Sequence, residues 1–163
     1  MYKVGILSAS DKGSRGERED VSAQVVREEV AKIGGEVLEY AIVPDDREII
    51  KNKLIEFSDI KKLDLVFTTG GTGFGPRDIT PEATLAIIDR LVPGIPEMMR
   101  AESYKIAPRA ILSRAAAGIR KKTLIINLPG SPKAVRENLA WIMESLPHGL
   151  DILKGTASEC GSN

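Results

Sequence analysis

Two aspartates in this chain stand beside glycine-rich turns, and that pairing suits phosphate chemistry. Asp78 follows Gly70-Gly71-Thr72-Gly73-Phe74-Gly75-Pro76-Arg77, and Asp45 follows Val43-Pro44. A carboxylate beside open backbone N–H groups can hold Mg²⁺ on a nucleotide, since that ion needs only one or two protein carboxylates plus phosphates and water. Each aspartate also has a plain structural reading. Asp78 can close a turn on nearby amides. Asp45-Asp46-Arg47-Glu48 has a cap-like spacing, an acidic residue three places before a glutamate. Leu128-Pro129-Gly130-Ser131-Pro132 repeats the loop logic, with Ser131 as helix N-cap and Pro132 at the first helical position. Arg77 and Lys133 can reach a phosphate or lie in solvent.

The elements around these loops read as alternating strands and helices. Leu65-Val66-Phe67 is short and apolar, like a buried parallel strand, and it runs into four glycines within six residues. Glycine there permits positive φ and close approach of a ligand. Thr80-Pro81 then opens a helix, with Thr80 as N-cap. A strand, a glycine loop and a helix N-terminus together attract an anion. The loop lacks the Gly-Lys-Ser/Thr ending of a P-loop, and the third glycine of a dinucleotide fingerprint would fall on Pro76.

Strands are expected at Tyr2–Leu7, Glu36–Val43, Asp64–Thr69 and Thr123–Leu128. Helices are expected at Val21–Ile33, Asp46–Ile60, Pro81–Arg90 and Pro96–Ile106. A further one follows Pro132 and aligns Val135, Leu139, Ile142 and Leu146. Ser8–Asp20 reads as a polar loop, Ala110–Leu112 as extended, and Asp151–Leu153 as a short apolar end. The alternation implies an α/β fold, a three-layer α/β/α sandwich with a mostly parallel sheet. One domain over residues 1–155 is expected, with residues 156–163 a frayed tail.

Composition removes several classes of function. The 163 residues carry 23 basic and 23 acidic side chains, so no net field draws nucleic acid or membrane. Residues 71–140, which contain the glycine loop, hold 11 basic and 6 acidic side chains, a balance suited to an anionic small ligand. One cysteine, Cys160, and one histidine, His148, leave no zinc cluster, no Cys–His nucleophile pair and no disulfide framework. The expected compartment is the cytoplasm: the first apolar run is too short for a signal peptide, and no stretch reaches the length of a membrane span.

Thr-Gly-Gly-Thr-Gly at 69–73, with Pro-Arg-Asp-Ile-Thr-Pro-Glu-Ala-Thr at 76–84, resembles the signature of the molybdopterin adenylyltransferases, relatives of the pterin-binding domains of proteins such as gephyrin. Ser8-Ala9-Ser10-Asp11, Ile111 to Gly118, and Leu128 to Pro132 agree, so the resemblance spans about residues 3–150. It implies Mg-ATP-dependent adenylylation of molybdopterin, within molybdenum cofactor biosynthesis. It also implies catalytic, Mg²⁺-holding roles for Asp78 and Asp45. Gly70, Gly71, Thr72, Gly73, Ser113, Arg114, Gly130, Ser131, Ser10 and Asp11 would bind ATP and molybdopterin. A homotrimer or larger assembly is expected, with a downstream metal-insertion protein taking the product. The alternative is a non-catalytic pterin-binding or scaffold module of the same fold.

Overall fold

The computed structural model describes residues 1–157. Its single sheet holds β1 (Tyr2–Ala9), β2 (Gly35–Val43), β3 (Leu65–Thr69), β4 (Arg90–Leu91), β5 (Ala117–Arg120) and β6 (Thr123–Leu128) in the order β2-β1-β3-β6-β5-β4. The first four strands of that order run parallel, and β5 and β4 add antiparallel. β3 lies at the centre and every one of its residues is buried. A strand covered on both faces reads as a continuous apolar run, which is why Leu65-Val66-Phe67 is legible in the sequence.

The helices are α1 (Asp11–Ser14), α2 (Val21–Ala31), α3 (Arg47–Ile55), α4 (Thr80–Leu85), α5 (Gly94–Ile106), α6 (Pro132–Ile142) and α7 (Leu146–Lys154). Alternation along β3 splits the core in two. Leu65 and Phe67 pack with Val26, Val30, Met99, Leu139 and Leu150 from α2, α5, α6 and α7. Val66 faces the other way, onto Ile50 and Leu54 of α3 and Ala83 of α4. Burying one such side chain contributes roughly 1.5–3 kcal/mol, so the two clusters fix the three layers.

The sheet connects β1 to β2 on one side, then crosses to β3 on the other. This reversal opens a crevice beyond the C-terminal ends of β1 and β3, where ligands bind in doubly wound sheets.

Several local expectations change. Ser8 and Ala9 extend β1, and the segment expected to be all loop contains α1. The helix expected over Asp46–Ile60 starts at Arg47 and ends in a π-turn, Glu56–Ile60, closed by the Lys61 N–H on the Glu56 carbonyl at 2.9 Å. Thr80 is not an N-cap: Ile79 holds that position, and Thr80 is the first helical residue. That helix stops at Leu85 rather than Arg90. The β-branched Ile87-Ile88 leave it, and Arg90 instead pairs with Ile119 to form β4. Ala110–Leu112 is not extended but part of a 3-10 turn, Pro108–Leu112. The last helix is two. Pro147 has no N–H to continue α6, so a 3-10 turn at Met143–Ser145 separates α6 from α7, which absorbs Asp151–Leu153. Cys160 and most of the expected tail, residues 158–163, lie outside the described residues.

Candidate active site

A cavity of about 550 Å³ occupies the crevice at the ends of β1 and β3. Ser8 and Ala9 come from β1 and Thr69 from β3, and the loops after β3 and β6 supply Gly70, Gly71, Gly130 and Ser131. Asp45 and Asp78 both reach it. Two helix N-termini also open there: Asp20-Val21-Ser22 of α2 and Ser131-Pro132 of α6. Each helix has eleven residues, long enough to present a partial positive charge to an anion. Ser131 caps α6 as expected, accepting from the Ala134 N–H at 3.2 Å.

The glycine loop owes its path to two left-handed residues. Gly70 (φ +85°) and Gly71 (φ +69°) turn the chain away from β3. A Cβ on Gly70 would stand 2.5 Å from the Ala9 carbonyl, and one on Gly71 would collide with Thr80 Oγ1. No side chain fits at either place. Beyond them, Asp78 turns back on its own loop. Its Oδ2 accepts the Gly75 N–H at 2.8 Å and its own N–H donates to the Gly75 carbonyl at 3.0 Å. The turn-forming reading of Asp78 is therefore realised, and the residue also lines the cavity.

Asp45 behaves differently from its sequence pattern. The cap of α3 is Asp46, whose side chain accepts from the Ile49 N–H at 3.0 Å. Asp45 is released from that duty. Its Oδ2 accepts the Asp11 N–H at 3.1 Å, and its own N–H donates to Asp11 Oδ1 at 3.0 Å. Its Oδ1 is buried and has no partner among the described residues. Burial pushes the Asp45 carboxyl above the usual carboxylate range, and the charges of Asp11 and Asp78 act in the same direction, against the lowering pull of the Asp11 N–H and Arg77. Asp11 shifts the opposite way. The Arg77 guanidinium grips it with both Nε (2.6 Å) and Nη2 (3.0 Å), and with the Asp45 N–H holds its carboxyl low.

The structure brings Ser10, Asp45, Gly70, Gly71, Asp78, Gly130 and Ser131 together around one cavity. Asp11, Thr72, Gly73, Ser113 and Arg114 stand behind that lining. Asp11 is tied to Asp45 by the two hydrogen bonds between them. Ser10 also caps α1, accepting from the Gly13 N–H at 2.9 Å. Arg114 braces the loop: its guanidinium donates to the carbonyls of Gly73 (2.8 Å) and Asp78 (2.6 Å) and pairs with Glu82, while its N–H bonds the Thr72 carbonyl at 2.9 Å. Ser113 Oγ accepts from the Ala115 N–H within its own turn, at 3.3 Å. Lys133 lies in solvent.

Sequence reasoning missed one wall of the cavity. Asp20 caps α2 through the Ala23 N–H (3.1 Å) and also accepts from Ser8 Oγ and from the Tyr40 hydroxyl at 2.7 Å. Thr69 Oγ1 donates to Ser8 Oγ at 3.0 Å, continuing the chain of hydrogen bonds. Ser22 Oγ donates to the Gly130 carbonyl at 2.7 Å and so ties α2 to the second loop. An aspartate just before the apolar run of α2 is a cap signal that could have singled out Asp20. Nothing in the sequence links it to Ser8 or Tyr40.

Among known proteins, a family described as a probable molybdopterin binding domain matches residues 5–148. The molybdopterin adenylyltransferase of Helicobacter pylori strain J99 is 47% identical over 154 residues, covering 93% of this chain and 88% of its own. The molybdopterin adenylyltransferase of Escherichia coli K12 is 39% identical over 167 residues, covering 94% and 86%. Among solved structures, the molybdopterin biosynthesis enzyme MoaB of Thermus thermophilus superimposes with a TM-score of 0.90 at 50% identity, covering 95% of this chain and 98% of its own.

Proposed function

The chain belongs to the molybdopterin-binding domain family that includes the molybdopterin adenylyltransferases, and we propose that it transfers the adenylyl group of MgATP to molybdopterin. A terminal phosphate oxygen of molybdopterin forms a bond to the α-phosphorus, the bridging bond to the β-phosphate breaks, and pyrophosphate leaves with the electron pair. The nucleophile is already an anion, so no general base is required. The lack of a histidine or cysteine among the residues lining the cavity is then no obstacle. What remains is to align two anions and offset their charge.

The observation that carries this reading is Asp45, which has a buried, unpartnered Oδ1 and lines, with Asp78, a cavity flanked by two helix N-termini. A native protein rarely leaves such an atom unpaired without a use for it. Mg²⁺ fits these residues: Asp45 and Asp78 offer hard oxygens, and the substrate's phosphates and water complete the shell. When bound, the ion would offset charge on the phosphates. The Gly71 amide and the two helix N-termini would hold the phosphate groups, the Gly70 N–H being held by the Leu128 carbonyl at 3.2 Å. Arg77 adds positive charge at the rim, and Asp11 keeps Asp45 in place.

The protein would work in the cytoplasm, and among the described residues no helix is long and apolar enough to cross a membrane. It would assemble as a homotrimer or larger and pass its product to a metal-insertion protein. Exposed Tyr104, Ile106, Ile111 and Leu112, around the end of α5 and the turn after it, suit burial against another copy.

The test combines purified protein, MgATP and molybdopterin, with mass spectrometry for the adenylylated pterin. The wild type should give product and Asp78→Asn none. Asparagine keeps the volume and an acceptor for the Gly75 N–H, so circular dichroism should be unchanged. A normally active Asp78→Asn protein would sink the assignment. Pterin binding without product in the wild type would make the chain a binding module.

A further inference from the structure

Four buried side-chain oxygens lack a hydrogen-bond partner among the described residues: Asp45 Oδ1, Ser58 Oγ, Thr80 Oγ1 and Glu82 Oε2. Three of the four flank the glycine loop, and two of these converge. The space in which a Cβ of residue 71 would stand lies against Thr80 Oγ1 and 3.4 Å from Asp45 Oδ1. Thr80 is fully buried, so its hydroxyl cannot turn to bulk water. Its own backbone is already used: the N–H donates to the Gly71 carbonyl at 3.2 Å, and its carbonyl accepts from Thr84 Oγ1 at 3.0 Å. A hydroxyl that only filled space would be a poor choice here, because an unpaired buried hydroxyl costs about 1–3 kcal/mol that a valine of the same shape avoids. Asp45 Oδ1 can only accept, and Thr80 Oγ1 can donate.

We propose that Thr80 is a positioning residue for Asp45: its hydroxyl donates to Oδ1, directly or through one trapped water, and fixes the orientation of that carboxylate. The glycine at 71 is what leaves room for the pair. This inference deepens the proposed function and rests on the reading of Asp45 as a metal-holding carboxylate.

The first experiment compares wild type, Thr80→Val and Thr80→Ser for Mn²⁺ binding in the presence of ATP, followed by electron paramagnetic resonance, alongside melting of the metal-free proteins. Thr80→Val removes the hydroxyl at constant volume. It should melt no lower than wild type, yet need about ten-fold more Mn²⁺ for half-saturation, the size of effect seen when a residue supporting a metal ligand is lost. Thr80→Ser should restore the wild-type Mn²⁺ response. A Val variant that binds Mn²⁺ like wild type overturns the proposal, and so does a Ser variant as impaired as Val, which would make the methyl group the important part.

A crystal structure of the wild type gives an independent answer if Thr80→Val does not fold or if no Mn²⁺ binds. Thr80 Oγ1 bonded to Asp45 Oδ1, or sharing one water with it, supports the proposal. An Oγ1 bonded only to main-chain carbonyls ends it. Wild-type protein that binds Mn²⁺ with ATP but yields no adenylylated pterin would remove the reaction and leave the role of Thr80 standing.

Discussion

Asp45, at the C-terminal edge of the parallel sheet, is treated in the opposite way from the carboxylates of the N-terminal edge. At the N-terminal edge Asp59 and Asp64 are each answered by a cation. Asp59 receives Arg120 through Nε (3.0 Å) and Nη2 (2.7 Å), with Lys121 at 3.1 Å. Asp64 receives Lys154 at 3.0 Å and the Lys3 N–H at 2.8 Å. At the C-terminal edge Asp45 has an unpartnered oxygen in a buried place, and the neighbouring guanidinium, that of Arg77, is spent on Asp11. The carboxyl of Asp59 is held low by Arg120, whereas burial lifts that of Asp45. One edge is built for stability. The other leaves a buried carboxylate oxygen without a partner among the described residues, the pattern expected of a binding site.

The sharpest way to break the contrast is to neutralise Asp45. Asp45→Asn should lower turnover by roughly 100-fold or more, the scale of losing one preorganised charge at a reacting phosphate. The metal-free variant should at the same time melt higher than wild type near neutral pH. The sign follows from the raised carboxyl. The folded state holds the proton more tightly than the unfolded chain, so ionising Asp45 costs stability as pH rises past the ordinary carboxylate range. Asparagine carries no such cost, and the gap between the two proteins should close in acid. A variant less stable than wild type at neutral pH would mean that Asp45 is a structural carboxylate after all.

The opposite edge should give the mirror result. Arg120→Ala removes two bonds to Asp59 and a third, at 2.7 Å, to the Ile87 carbonyl. Both side chains of the pair are about one-fifth exposed. The loss should be about 1–2 kcal/mol, more than a surface pair and less than a fully buried one, with turnover unchanged. Here the sign reverses. Asp59 is held low, so its contribution is present above the ordinary carboxylate pKa and disappears as pH falls through the folded value. Chemical denaturation at neutral and acid pH should show wild type and Arg120→Ala converging in acid.

The asymmetry is half legible in the sequence. Gly70, Gly71, Gly130 and Ser131 announce themselves, because left-handed turns and helix caps demand particular residues locally. The strands β3 and β6 are readable for a related reason, since full burial leaves an uninterrupted apolar run. Asp45 against Asp46 is not decided by pattern: both precede Arg47-Glu48, and only the φ/ψ of the real turn gives the cap to Asp46. The hydrogen-bonded chain of Ser8, Asp20, Thr69 and Tyr40 joins four separate segments, a product of the crossover that no local window contains. The ends of α4 and α6 differ from their periodic patterns because β4 pairing and Pro147 override helical periodicity. Arg114 looks like a ligand-facing residue of its motif, yet its three guanidinium partners belong to the loop and helix that carry Asp78.

Arg77 gives the smallest effect and refines the comparison most. Its guanidinium sits beside the Asp11–Asp45 pair and is largely exposed. Exposed pairs contribute little to stability, so Arg77→Gln should melt close to wild type. Its influence should appear in binding instead. Without it, the Asp11 carboxylate stands unneutralised at the rim and repels an incoming triphosphate. The KM for ATP should rise a few-fold, with kcat little changed. Because the interaction is solvent-exposed, raising salt from low to about 0.5 M should shrink the difference between the two proteins as the Debye length falls well below ~10 Å. A KM gap that persists at high salt would mean that Arg77 touches the phosphates directly, in a desolvated contact. Arg77 would then leave Asp11 for the phosphates when substrate arrives.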